Sequence, residues 1–178
     1  MKGVFFLHGR KVMSSMRRLV LAAMMVGTTA ATADEVSSYQ TARKQGVKTC
    51  LEKVKEVGNF LVGDHNHASH DVWNTVDTDK RMFSSFLVKE YSDGDTHISM
   101  IVGPDATGKC FAEYNETTFW SKSCSIIREE VFSEFKFAGS MKEATIVLKN
   151  KEDSVNAYLT PQSNGNACLS TRREVVFY

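Results

Sequence analysis

Between residues 34 and 61 the apolar positions Val47, Cys50, Leu51, Val54, Val57 and Leu61 recur at steps of three and four, with Lys48, Glu52, Lys53, Lys55 and Glu56 between them. That spacing gathers the apolar side chains into one stripe and predicts an amphipathic helix. Gly46 weakens the helix locally by about 1 kcal/mol. Gly63 predicts its end, because glycine accepts the left-handed backbone that closes many helices. Beyond residue 80 the period falls to two. The segments RMFSSFLVKEY, THISMIVG and KCFAEYNETTFW read as strands, separated by turn signals at Asp93-Gly94 and at Pro104 and Gly108. An antiparallel meander is expected there.

The C-terminal half has the same punctuation. ATIVLKN, SVNAYLT and NACLSTRREVVFY are strand-like, with polar turns KED and PQSNG between them. They follow CSIIREEVFSEF, where Cys124, Ile127, Val131 and Phe135 have helical spacing, although Phe135 and Phe137 also permit a strand over residues 131–138. The two prolines of the chain, Pro104 and Pro161, precede Cys110 and Cys168 by six and seven residues. CFAEYNETTFW and CLSTRREVVFY also share Glu116 with Glu174 and Phe119 with Phe177. The pattern predicts an α+β fold built by tandem duplication of a helix-plus-three-antiparallel-strand unit, one copy over about 36–120 and the second over about 122–178. Side by side, the units would form a roughly six-stranded antiparallel sheet with helices packed on one face.

Residues 1–33 stand apart from this pattern. Arg17 and Arg18 precede an apolar run over 19–27 and the small-residue string Ala31-Thr32-Ala33, which is the grammar of a secretory signal cleaved before Asp34. The run of about nine residues falls well short of the roughly 20 that span a bilayer, so no stable membrane anchor is expected after cleavage. The expected organisation is a signal peptide over 1–33 and a single domain over 34–178. Composition then changes the charge picture. The leader holds five of the 22 Lys and Arg and none of the 21 Asp and Glu, so the remaining chain has a net charge of −4. An acidic domain without a basic cluster is a poor partner for nucleic acid.

All four cysteines, Cys50, Cys110, Cys124 and Cys168, follow the leader. An even count in an exported chain predicts two disulfides, and no two are spaced as CxxC, the close pair usual in zinc sites. Equivalent pairing in the two units selects Cys50 with Cys110 and Cys124 with Cys168. The rival is a short link between Cys110 and Cys124.

Candidate chemistry concentrates in VGDHNHASHDVWNT, residues 62–75. The cysteines lie 60 residues apart in the first unit and 44 in the second, so this stretch reads as a long loop inserted between helix and first strand. Inserted loops are common carriers of function. Asp64, His65, His67, His70, Asp71 and Trp73 are the expected partner-binding residues. FLVGDHNHASHD also approaches the HxHxDH zinc signature of metallo-β-lactamase-like hydrolases, with His65, His67 and His70 in register. Ser69 stands where that signature has an aspartate ligand, and His97 alone remains downstream, so membership is rejected. Three histidines in a loop can still converge on zinc, copper or nickel without that fold.

Elsewhere the chain has no GxSxG elbow and no glycine-rich phosphate loop. Phe119, Trp120, Phe132, Phe135, Phe137, Phe177 and Tyr178 read as core filling. The expected function is an exported, periplasmic or secreted, disulfide-stabilised module without catalytic activity or cofactor that binds a protein, as inhibitors and immunity-type proteins do. The alternative is a metal-binding protein, or a metal-dependent hydrolase, centred on His65, His67 and His70.

Overall fold

The computed structural model describes residues 35–178, so the signal peptide expected over 1–33 lies outside the described residues. These residues form one compact unit. The single N-terminal helix expected from the apolar stripe is two, α1 (Ser37–Lys44) and α2 (Leu51–Val62). Gly46 divides them. At φ 89° it takes the left-handed conformation, its N–H donates to Arg43 O, and Val47 N–H donates to Ala42 O. These two bonds are a Schellman closure, sealed by buried Ala42 and Val47. Gly63 ends α2 as expected.

Eight strands follow, in one antiparallel sheet of order β1-β2-β3-β4-β8-β7-β6-β5. They are β1 (His67–Trp73), β2 (Phe83–Tyr91), β3 (Gly94–Pro104), β4 (Cys110–Trp120), β5 (Lys136–Met141), β6 (Thr145–Lys149), β7 (Val155–Gln162) and β8 (Ala167–Phe177). This overturns the helix-plus-three-strand unit and the six-stranded sheet. The six expected strands are present, but β1 and β5 extend the sheet at its two edges. A third helix, α3 (Cys124–Glu130), precedes β5 and is shorter than its apolar spacing predicted. Phe135 leaves the helical path in a turn closed by its N–H to Phe132 O, and Val131, expected on the apolar face, is exposed.

Side chains alternate between the two faces along the strands, apart from the register shift between Phe137 and Gly139 in β5, and this settles the two faces. Cross-strand partners share a face. The register Ala112↔Val176, Tyr114↔Glu174, Glu116↔Arg172 and Trp120↔Cys168 therefore puts the buried positions of both halves on the same side. On that side Val54, Val57 and Leu61 of α2 pack with Leu87, Ile98, Met100 and Tyr114. Ile127 and Phe132 pack with Leu148, Ala157 and Leu159. All three helices among the described residues thus cover one face, and among those residues no helix covers the opposite face.

The disulfides join Cys50 to Cys110 and Cys124 to Cys168, the expected pairs, with Cα–Cα distances of 5.7 and 4.9 Å. Each ties the start of a helix to a strand beneath it. No helix among the described residues is long and apolar enough to cross a membrane.

Candidate functional site

The histidine stretch is a strand and a turn where a long loop was expected. From His67 to Trp73 it pairs with β2 from Lys89 to Phe83, and side chains then alternate between faces. Asp64 and His65 remain in the turn after α2, where the His65 ring packs on Tyr91 with centroids 4.3 Å apart. His67 points to the helical side. Its Nε2 accepts from Ser37 N–H at 3.2 Å and its Nδ1 lies 3.1 Å from His65 O. A backbone donor on one nitrogen and a carbonyl on the other suit the neutral ring protonated at Nδ1. His67 is thereby occupied in fastening the start of α1 to β1.

His70, three positions on, projects from the opposite face and is exposed. The three histidines are therefore not brought together, because residues three apart on a strand diverge. Among the described residues no group of three or more His, Cys, Asp or Glu side chains is placed to hold a metal ion. Asp71 returns to the helical side, accepting from Ser69 Oγ at 2.9 Å. Trp73 packs against the core around α1 and α2 and is only partly accessible.

The helix-free face gathers residues that the sequence reading left scattered. One row across the sheet runs Val72, Ser84, Ile101, Glu113 and Val175. A second runs His70, Phe86, Ser99, Asn115, Arg173 and Asn156. Beside the first row Phe111 pairs with Phe177. Val72 is 59% exposed, Phe119 60% and Phe177 77%, and Phe86 and Val175 are also exposed. Phe119 and Phe177, expected in the core, are thus on an open surface. Alternation explains the error, since the same strands bury their even-numbered neighbours.

The apolar side chains frame a polar centre whose charges are already paired. Arg173 Nε donates to Glu113 Oε1 at 2.9 Å, and Thr117 and Thr171 share a hydrogen bond of 3.0 Å. A shallow concavity runs from this centre over Tyr158 and Thr145 to Met141. At the other end a notch of about 600 Å³ opens between Val72, Met82, Pro104 and Phe111, with Trp73 on its rim. Trp73 thus reaches the same surface from the edge.

Under the sheet, on the helical side, lies a charged network that sequence reasoning missed. Lys89 Nζ donates to Glu116 Oε1 at 2.6 Å and to Leu61 O at 2.8 Å. Burial works against the Lys89 charge, but the Glu116 carboxylate and the Tyr91 hydroxyl together outweigh it and hold the ammonium above its ordinary pKa. Arg172 donates to the Tyr114 hydroxyl at 3.1 Å, and Tyr114 donates to Glu174 at 2.9 Å. Burial pushes the Tyr114 phenol up to about 12, against the pull of Arg172. The one available signal was Lys89 at an alternating, otherwise inward position of β2.

At the far edge Asp79 binds the N–H groups of Lys48 and Thr49 at 2.7 and 2.6 Å, clamping the β1–β2 connection to the turn before α2. The Thr49 N–H bond is the main cause that holds its carboxyl below the usual range. Comparison with known protein families, with curated proteins and with solved structures finds no match for this chain.

Proposed function

We propose that this protein is an exported, non-catalytic binding module that engages a folded protein through the helix-free face of its sheet. The observation that carries the reading is the uncovered face itself, with Val72, Phe86, Phe119, Val175 and Phe177 exposed around a polar centre. These side chains are spread around the polar centre and not joined in one patch, and with it they offer the mixed apolar and polar surface that protein interfaces present. Aromatic, methionine and arginine side chains are those enriched at protein interfaces, and a stable complex needs only roughly 800 Å² per partner. Glu113 and Arg173 are spent on each other, which suits docking better than acid–base chemistry. Two disulfides fit an oxidising compartment, in keeping with export to the periplasm or beyond. Inhibitors and immunity-type proteins directed at cell-envelope enzymes are the class this reading favours.

The test is site-specific photo-crosslinking in the native compartment. A benzophenone side chain at Phe177 or Phe86 is expected to give one discrete adduct, lost when Val175→Glu is added. The same probe at Phe60, exposed on α2, is expected to give none. Adducts from Phe60 alone, or from no position, would overturn the assignment of the open face.

A further inference from the structure

Behind the sheet, on the side away from the proposed docking face, the helical layer formed by the described residues leaves part of the sheet open. Helices α1 and α2 cover one half and the short α3 covers only part of the other. A cavity of about 380 Å³ remains over the β4–β8 seam. That volume lies within the range of small-molecule sites, roughly 300–1,000 Å³. Its walls are Tyr91 from the β2–β3 hairpin on one side and Val131, Phe132 and Phe135 after α3 on the other. Phe132 and Phe135 hold each other edge to face, with centroids 5.4 Å apart. The wall after α3 is therefore apolar and braced, while the hairpin wall adds Asp93 beside Tyr91.

The floor is polar and unevenly satisfied. Trp120 Nε1 donates to Ser170 Oγ at 2.7 Å, and the Thr96 and Thr118 hydroxyls bond each other at 2.9 Å, so these groups are satisfied by one another. At one end stand Glu116 and Arg172. Glu116 takes its close partner from Lys89 at 2.6 Å, which leaves Arg172 Nε 3.9 Å from the other carboxylate oxygen, beyond hydrogen-bond reach. Arg172 Nε has no acceptor, and the guanidinium makes one hydrogen bond, to Tyr114, of the five that such a group can donate. It is held instead by ring faces, lying 5.2 Å from the Phe60 centroid and 5.5 Å from that of Tyr114. Stacking fixes the cation's position without consuming its donors. Lys89 and Arg172 are balanced here by Glu116 and by Glu174, which accepts from the Tyr114 hydroxyl, and Asp93 lines the same cavity, so Arg172 is distinguished by its unspent donors and not by an excess of positive charge.

We infer that this cavity is a binding site for an amphipathic monocarboxylate, with the carboxylate on Arg172 and an aliphatic or aromatic body between Tyr91 and the Phe132–Phe135 pair. A carboxylate can accept from Arg172 in two parallel bonds, which a neutral hydroxyl cannot. The apolar body gains by leaving water for the braced wall after α3. The floor of the site lies on the helical side, and only Phe119, at the cavity's margin, is shared with the open face; the site does not require a protein partner there.

The probe is decanoate, with 1-decanol as its neutral counterpart, titrated into the folded, disulfide-bonded protein below the aggregation concentration of either. Titration calorimetry gives stoichiometry and affinity, and the Trp120 indole N–H resonance reports where binding occurs. The expected result is one decanoate per chain, at least tenfold tighter than decanol, with the Trp120 resonance moving and that of Trp73 still. Arg172→Gln should erase the preference for the acid. Val131→Trp, a change at an exposed rim position, should abolish binding of both probes and keeps the test decisive if Arg172→Gln does not fold. Equal affinity for acid and alcohol, binding that survives Val131→Trp, a shift confined to Trp73, or no binding of decanoate each overturns the inference.

Discussion

Tyr114 on β4 faces Glu174 on β8 across the centre of the sheet, and its hydroxyl donates to the carboxylate at 2.9 Å. The pairing works only while the phenol keeps its proton. Its pKa rises from 10.0 to about 12 in the folded chain, chiefly through burial. A group whose folded pKa is raised contributes stability that is complete below the unfolded pKa and disappears as pH climbs to the folded one. Stability should therefore fall between about pH 10 and pH 12, by an amount on the order of 2–3 kcal/mol from this residue. Urea titrations across that interval should show the slope, and Tyr114→Phe should flatten it. An unchanged slope in Tyr114→Phe would assign the effect to other groups.

The Lys89–Glu116 pair is nearly enclosed, with side-chain exposures of 8% and 15%. Removing one partner from a buried pair leaves the other charge desolvated, at a cost of about 3–5 kcal/mol. Lys89→Met and Glu116→Gln are each expected to lower stability by that order, with the double variant losing less than the sum of the two. Additive losses in a double-mutant cycle would mean that the two side chains do not act as a pair.

Gly103 closes β3 where a Cβ would stand 2.9 Å from the Cα of Met82. Backbone cannot yield as a side-chain tip can, so Gly103→Ala should destabilise the fold by about 1–3 kcal/mol. Thermal unfolding measures the loss, and a neutral result would show that the 80–82 segment can move away.

The two histidines of β1 should behave differently. His67 links Ser37 N–H to the β1 strand, so His67→Ala should cost about 1 kcal/mol and loosen α1. His70, exposed on the open face, should change stability by less than about 0.5 kcal/mol when replaced by alanine. Amide exchange of α1 in the two variants distinguishes them.

Each disulfide closes a long loop, of 60 and 44 residues. Chain entropy then assigns about 4 kcal/mol to either bridge. Replacing Cys124 and Cys168 together by alanine should lower stability by that order and increase exchange in α3 and β8 before β1–β3. A uniform response across the sheet would argue that the two halves unfold as a single unit.

Much of this architecture is legible in one dimension. Period-two alternation in β2, β3, β4, β6, β7 and β8 is strong because each strand buries one face under helices and exposes the other. Cysteine parity called for two disulfides, and their pairing followed from equivalence between two repeated units, so the pairs agree with the structure although the helix-plus-three-strand unit does not. The edge strands β1 and β5 were not legible. His67 to Trp73 is polar at most positions, and Lys136 to Met141 is almost wholly exposed with a register shift around Gly139, so neither has a buried face to print on the sequence. The split of the first helix was visible as Gly46, but its cost in an apolar stripe was read as a weakening when the glycine in fact supports a closure.

Alternation, charge and cysteine count are properties of neighbouring residues, and the sequence by itself determined them: two helical stripes, six of the strands, two bridges and an acidic domain behind an expected leader. Which strands meet is a property of distant ones. Only the tertiary structure decided that β4 lies antiparallel to β8, setting Glu116 against Arg172 and Tyr114 against Glu174. It likewise turned Phe86, Phe119 and Phe177 onto one uncovered face. Pairing between strands over 50 residues apart is set by how the whole sheet packs under its helices, and no local pattern encodes it.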